Sequence, residues 1–184
     1  MDIHEKMHSG EWYLPNDPVL AREQAECLEK LYDYNATRPH ETEKRAALLR
    51  DMFAEIGEGC YFEPPFHANW AGKFMHFGKN IYCNFGVTFV DDTSIYVGDF
   101  TQFGPHCVIA TADHPLDDAE REAGYQRNFP VRIGRNCWFG AGVLVMPGVT
   151  IGNNVVVGAG SVVTHDLPDN VLAHGVPCRV VREL

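Results

Sequence analysis

Residues 133–167 read IGRNCWFGAGVLVMPGVTIGNNVVVGAGSVVTHDL, and a large apolar residue returns at every sixth position: Ile133, Phe139, Val145, Ile151, Val157 and Val163. Glycine follows directly at 134, 140, 152 and 158. Four residues after each apolar position stands a second, smaller set: Cys137, Val143, Val149, Val155, Ser161 and Leu167. A period of six suits neither a helix nor a hairpin meander. It suits a solenoid in which each hexad supplies one short strand and one corner, and three hexads close a triangular coil. The recurring aliphatic residue points inward, so coils stack like on like. Glycine and asparagine after it are expected to form the corners, because both tolerate positive φ.

Working back toward the N-terminus, weaker copies run through Phe77-Gly78, Cys83, Phe89, Val97-Gly98, Phe103-Gly104 and Ile109. Two breaks interrupt the rhythm. The step from Phe89 to Val97 is eight residues, and the excess carries Asp91 and Asp92. Between Ile109 and Ile133 the chain leaves the repeat altogether, in the polar stretch TADHPLDDAEREAGYQRNFPVR that holds His114. A rigid scaffold that extrudes one long polar loop is a common way of placing chemistry.

The first third reads differently. Asp17 before Pro18 is a helix start, with an acidic cap and a proline whose missing N–H costs nothing there. Leu20, Cys27, Leu28, Leu31 and Tyr32 then follow a helical period as far as Asn35. A second helix is expected after Pro39, with Leu48, Leu49, Met52, Phe53 and Ile56 apolar and Gly57 as its stop. Residues 2–9 allow a short helical turn. The chain therefore divides into a helical segment, 1–57, and a β-solenoid, 58–184, with the extruded loop at 111–132.

Composition narrows the function. The net charge is −10, with eleven basic against twenty-two acidic residues in 1–130 and a balance of +1 beyond. That is a poor footprint for nucleic acid. No run approaches the roughly 20 apolar residues of a membrane span, and the charged N-terminus has no secretory h-region, so a cytoplasmic protein is expected. The six cysteines form no C-x-x-C pair and read as buried thiols. Cys83 shares the phase of the inward residues, which favours packing over a nucleophile.

The runs IGRNCWFGAG, PGVTIGNN, VGAGSVVT and GVPCRVVR, with YCNF (82–85), VDD (90–92), DHP (113–115) and Y-x-x-x-D-P (13–18), resemble the maltose/galactoside O-acetyltransferases of the hexapeptide-repeat acyltransferase superfamily. The resemblance covers nearly the whole chain. It implies a mainly β fold, a left-handed parallel β-helix with an N-terminal α-helical segment. It also implies a homotrimer with active sites between subunits, acetyl-CoA as co-substrate, a sugar hydroxyl as acceptor and no metal. His114 matches the family's catalytic base, and Asn84 the residue that steadies the transition state. Asp17, Asn69, Tyr82, Asp92 and Gln126 fall on or near acceptor-binding positions. Asn69 stands where Asp or Ser is usual, and one extra residue lies nearby. Ala141, Ala159, Thr164, His165, Arg179 and Arg182 fall on the coenzyme groove, His165 at a place often held by lysine.

The chemistry asks for these residue types. A sugar hydroxyl is protonated at neutral pH, and an imidazole with a pKa near ~6.5 can take its proton and return it to the departing thiolate. An asparagine amide can donate to the oxyanion. Asp91 and Asp92 are expected to accept from sugar hydroxyls, and one of them to orient the imidazole. Three rivals share the scaffold: an acetyltransferase for xenobiotics, a zinc enzyme using His76, His106 and His114, and a non-catalytic repeat surface for partner proteins.

Overall fold

The computed structural model describes residues 1–184. From Glu55 onward the chain winds as a parallel β-solenoid of about six coils. Its strands, of two to three residues up to Val163 and longer in the last two, assemble into three sheets, one per face of a triangular prism. The stacking is in register on every face. Ile56, Phe77, Val97, Ile133 and Ile151 form the first column. Phe62, Cys83, Phe103, Phe139, Val157 and Ala173 form the second. Ala68, Phe89, Ile109, Val145 and Val163 form the third. These columns belong to one continuous buried cluster, and each large side chain removed from water contributes roughly 1.5–3 kcal/mol. Phe103 and Phe139 stack with ring centroids 5.0 Å apart. The cysteines are free, and Cys83 is fully buried, its thiol pushed well up by desolvation.

The glycines have a different cause from the one expected. Those directly after the inward residues do not have positive φ. A Cβ on Gly98 would lie 2.6 Å from the Arg135 nitrogen and the Gly134 carbonyl carbon, and on Gly140 2.6 Å from the Ala159 nitrogen. Close approach of successive coils therefore requires them. The left-handed corners are built further on, by Asn80, Asn136, Asn154 and Asn170 and by Gly86, Gly142 and Gly160. The asparagines form a ladder, with Asn136 Nδ2 donating to Asn154 Oδ1 at 3.2 Å and Asn154 Nδ2 to Asn170 Oδ1 at 3.0 Å. Alanine at 98 meets backbone, which cannot swing aside, so a loss of about 3 kcal/mol is expected, near the upper end for overpacking. Alanine at Gly142, where nothing lies within 4 Å, carries only the left-handed backbone cost of about 1–2 kcal/mol. Denaturant melts of the two variants compare these causes.

The helical segment closes one end of the prism. Helix α1 is Ile3–Met7, α2 is Pro18–Asn35 and α3 is Thr42–Met52. Asp17 caps α2 by accepting from the Val19 N–H at 2.8 Å. Tyr34 donates to the Phe62 carbonyl at 2.7 Å, and the Asn35 amide bonds both the N–H and the carbonyl of Phe66. Phe53 lies edge-on to Phe62 and Phe77 over the open core. Helix α3 stops before the expected Gly57. Ile56 is already a solenoid residue paired with Phe77, and Gly57 packs on the backbone of Gly78. At the other end, strand Cys178–Glu183 folds back antiparallel on Val171–Gly175, the outermost strand of the second face.

The extruded loop is a hairpin. Ala112–Asp113 pairs antiparallel with Arg127–Asn128, and the tip carries a short exposed helix, α4, Asp118–Glu122. No helix is long and apolar enough to cross a membrane.

Candidate active site

His114 stands exposed at the end of the first hairpin strand. Its Nδ1 lies 3.0 Å from the Tyr125 carbonyl oxygen. A carbonyl only accepts, so Nδ1 carries the proton and Nε2 keeps its lone pair. No residue of the chain bonds Nε2. The imidazole is thus fixed in the tautomer a base needs, and by a backbone carbonyl rather than by Asp91 or Asp92.

Both aspartates are buried. Asp91 accepts from the Trp70 N–H at 2.7 Å and the Gly72 N–H at 2.9 Å, which holds the turn containing the left-handed Ala71 and Gly72. It offers nothing to a sugar, and the expectation of a solvent-facing acceptor fails at this residue. Asp92 accepts from Asn69 Nδ2 at 2.8 Å and Trp70 Nε1 at 3.3 Å. Burial pushes Asp91 up to about 7 and raises Asp92 as well. The unfolded chain releases the Asp91 proton near pH ~4, whereas the folded chain keeps it until about 7. Stability from this group is therefore present at low pH and lost as pH rises through that window. Relative to Asp91→Asn, which stays neutral, wild type is expected to lose ground as pH rises from about 4 to about 7 in paired thermal melts.

Around Asp92 a polar cluster assembles the N-terminal segment and the hairpin. Tyr13 and Gln126 exchange both backbone hydrogen bonds. Gln126 Nε2 donates to the Tyr13 hydroxyl at 3.1 Å and to Asn128 Oδ1 at 2.9 Å, and Asn128 Nδ2 donates to the Asp92 carbonyl at 3.3 Å. Burial pushes the Tyr13 phenol up to about 12. Asp17 opens onto a neighbouring cleft of about 400 Å³ with Trp12, Asn16 and Tyr125. Of the expected acceptor residues, Asn69, Asp92 and Gln126 thus share one cluster, and Asp17 lines the same cleft as Tyr125, the residue that holds His114.

Asn84 and Tyr82 lie elsewhere, on the second face and its corner. Tyr82 stacks on Tyr61 and reaches Glu63 at 3.4 Å. Asn84 Oδ1 accepts from the Phe85 N–H at 2.7 Å, leaving its NH₂ without a partner in the chain. Asn84, Gly104, Gly140 and Gly158 occupy equivalent places on successive coils, each N–H bonded to the next coil. Phe85, Pro105, Ala141 and Ala159 follow them, so one edge of the prism runs from Asn84 past the half-exposed Phe85 and carries only glycine and alanine at Gly140, Ala141, Gly158 and Ala159. Ala141 and Ala159 are on this edge. Thr164 and His165, bonded to each other at 2.8 Å, lie past the far end of the third face. Arg179 and Arg182 are exposed on the C-terminal strand. No hydrogen bond within the chain links His114 to Asn84, and the six groove residues do not line a single edge.

His76 pairs with Glu55 at 3.2 Å and stacks on Tyr96, His106 turns a corner, and His114 is in the hairpin. No three His, Cys, Asp or Glu side chains stand close enough to hold a metal ion.

Residues 6–57 match the maltose acetyltransferase hexapeptide capping motif, and residues 130–165 match the bacterial transferase hexapeptide family across six repeats. The whole chain is 50% identical to 89% of the galactoside O-acetyltransferase of Lactococcus lactis. The chain belongs to the galactoside and maltose O-acetyltransferase family. Among solved structures, the whole chain superposes with a TM-score of 0.97 and 40% identity on 98% of a maltose O-acetyltransferase from Clostridium difficile. It superposes with a TM-score of 0.96 and 40% identity on 91% of a galactoside acetyltransferase in complex with coenzyme A. Within this O-acetyltransferase, Tyr13 stands in a motif but without an expected role, and two other supports of the site lie outside the motifs: Tyr125 acts through its carbonyl, and Asn128 is 115 residues from Tyr13. Only Asp113 and Arg127 carried a signal, as opposite charges at the two ends of the loop.

Proposed function

We propose that this chain transfers an acetyl group from acetyl-CoA to a hydroxyl of a maltose-, glucose- or galactoside-like sugar. His114 Nε2 takes the hydroxyl proton as the oxygen attacks the thioester carbonyl. The C–O bond forms, the C–S bond breaks, and the imidazolium returns the proton to the thiolate. Atoms balance without an acyl-enzyme. The observation that carries this reading is the Nδ1 bond to the Tyr125 carbonyl at 3.0 Å, which leaves Nε2 free and basic.

The Asn84 amide donates to the oxyanion. Asp92, Asn69 and Asp17 receive the acceptor, with Gln126 setting the wall behind them and Tyr82 flanking Asn84. The edge along Ala141 and Ala159 admits the coenzyme because glycine and alanine leave it open. Thr164, His165, Arg179 and Arg182 supply polar and cationic contacts toward its phosphates. Because His114 and Asn84 lie apart in one chain, the site is read as closing in a homotrimer, His114 of one copy facing Asn84 of the next. Leu116, 96% exposed two residues beyond the base, suits such a contact.

The test is thiol release from acetyl-CoA with maltose, glucose, galactosides and chloramphenicol. A sugar is expected to raise the rate well above background. A response to chloramphenicol alone transfers the proposal to a xenobiotic acceptor, and no response to any of them defeats it.

A further inference from the structure

We infer that Arg127 is a positioning residue for the transfer: through Asp113 it sets the hairpin strand that carries His114, and through Trp12 it ties that strand to the N-terminal segment. The inference rests on His114 being the base. Arg127 Nε and Nη2 both donate to Asp113 Oδ2, at 2.9 and 2.8 Å. Asp113 and Arg127 are also a register pair of the hairpin. Asp113 therefore precedes His114 by one residue and Arg127 follows Tyr125 by two, directly behind the His114–Tyr125 contact. The guanidinium carbon lies 4.2 Å from the centroid of the Trp12 ring and 4.9 Å from that of Phe129. Two aromatic faces and a two-pronged grip on one oxygen fix it in place.

A stability role explains this poorly. The two side chains are 35% and 37% exposed, and partly solvated ion pairs contribute little to folding. Geometry explains it better. Beyond the pair the buried residues are Pro115 and Gln126, the latter bonded to Tyr13, while α4 buries nothing, and Arg121 there serves only the carbonyls of Pro115 and Leu116 and the Asp118 carboxylate. The Asp113–Arg127 pair and the Tyr13–Gln126 bonds together hold the hairpin base from which His114 projects, and only the first is made by charged side chains. A displacement near 1 Å at a reacting group is worth as much as about 100-fold in rate.

The charges next to His114 give the test its second readout. Asp113 precedes it in the strand, with Arg127 as the compensating cation; Asp117, Asp118 and Arg121 belong to the tip. Without Arg127, the Asp113 carboxylate stabilises the imidazolium, so the acidic limb of the pH–rate profile moves to higher pH. Arg127→Gln is expected to lower kcat about 10-fold at saturating acceptor, with the acetyl-CoA KM unchanged and that limb shifted upward. Arg127→Lys keeps the charge and is expected to hold the limb in place with part of kcat restored. Trp12→Ala, which changes no charge, is expected to lower kcat without moving the limb, and serves if Arg127→Gln does not fold. Values of kcat within two-fold of wild type in Arg127→Gln and Trp12→Ala overturn the inference. So does a loss that tracks only the unfolded fraction, with the limb unmoved. His114→Ala is run alongside: if it is inactive while the Arg127 variants keep full rate, the positioning role alone fails. If it is fully active, the base assignment fails and takes the positioning role with it.

Discussion

Alanine at His114 is expected to lower kcat by about 10²–10⁴-fold, the usual weight of a positioned general base. Coenzyme affinity is expected to stay close to wild type, because the imidazole lies in the hairpin and not on the edge that carries Ala141 and Ala159. Folding is expected to be unaffected, since the exposed ring makes one hydrogen bond, to the Tyr125 carbonyl. Steady-state kinetics at saturating acetyl-CoA, with a parallel melt, separates these effects. An undiminished rate means that the proton leaves by another route.

The second large effect is expected at Asn84. Alanine there removes the one unpartnered NH₂ at the head of the open edge, and loss of a single oxyanion donor costs about 10²–10³-fold in kcat. Asn84→Asp keeps the shape and the bond from the Phe85 N–H, yet offers no donor and adds a negative charge where one develops. It is expected to be at least as damaging as alanine. Equal rates for Asn84→Asp and wild type, measured by thiol release, would leave the oxyanion without its assigned donor.

Local rules made much of this legible. The six-residue period named the inward column from Ile133 to Val163, and every one of those side chains is buried. Asp17-Pro18 named the start of α2 and its cap. The break in the repeat named the hairpin and the histidine on it. What stayed hidden depends on long-range approach. Glycines 98 and 140 looked like corner residues, since a sequence does not reveal that another coil's backbone lies within 3 Å of the missing Cβ. Asp91 looked like a sugar ligand, because its two N–H donors come from a turn some twenty residues earlier. Ile56 carried an apolar signal that suits a helix face and a short strand equally, and tertiary pairing with Phe77 decided it. The candidate site divides in the same way: the motifs supplied the groups, and their partners Tyr125, Arg127 and Asn128 lie outside any motif.

The folded-back strand Cys178–Glu183 has a consequence for how copies of this molecule coexist in a crowded solution. A stack of parallel coils is a ratchet with no intrinsic last step, for the final rung presents unpaired N–H and C=O groups ready for another coil. Reversing the chain over Val171–Gly175 substitutes an antiparallel rung whose outer side carries Arg179, Arg182 and Glu183, while Phe53 and the helices plug the opposite mouth. The second face thus ends in a charged antiparallel rung and the opposite mouth under helices, which makes both ends poorer templates for head-to-tail growth.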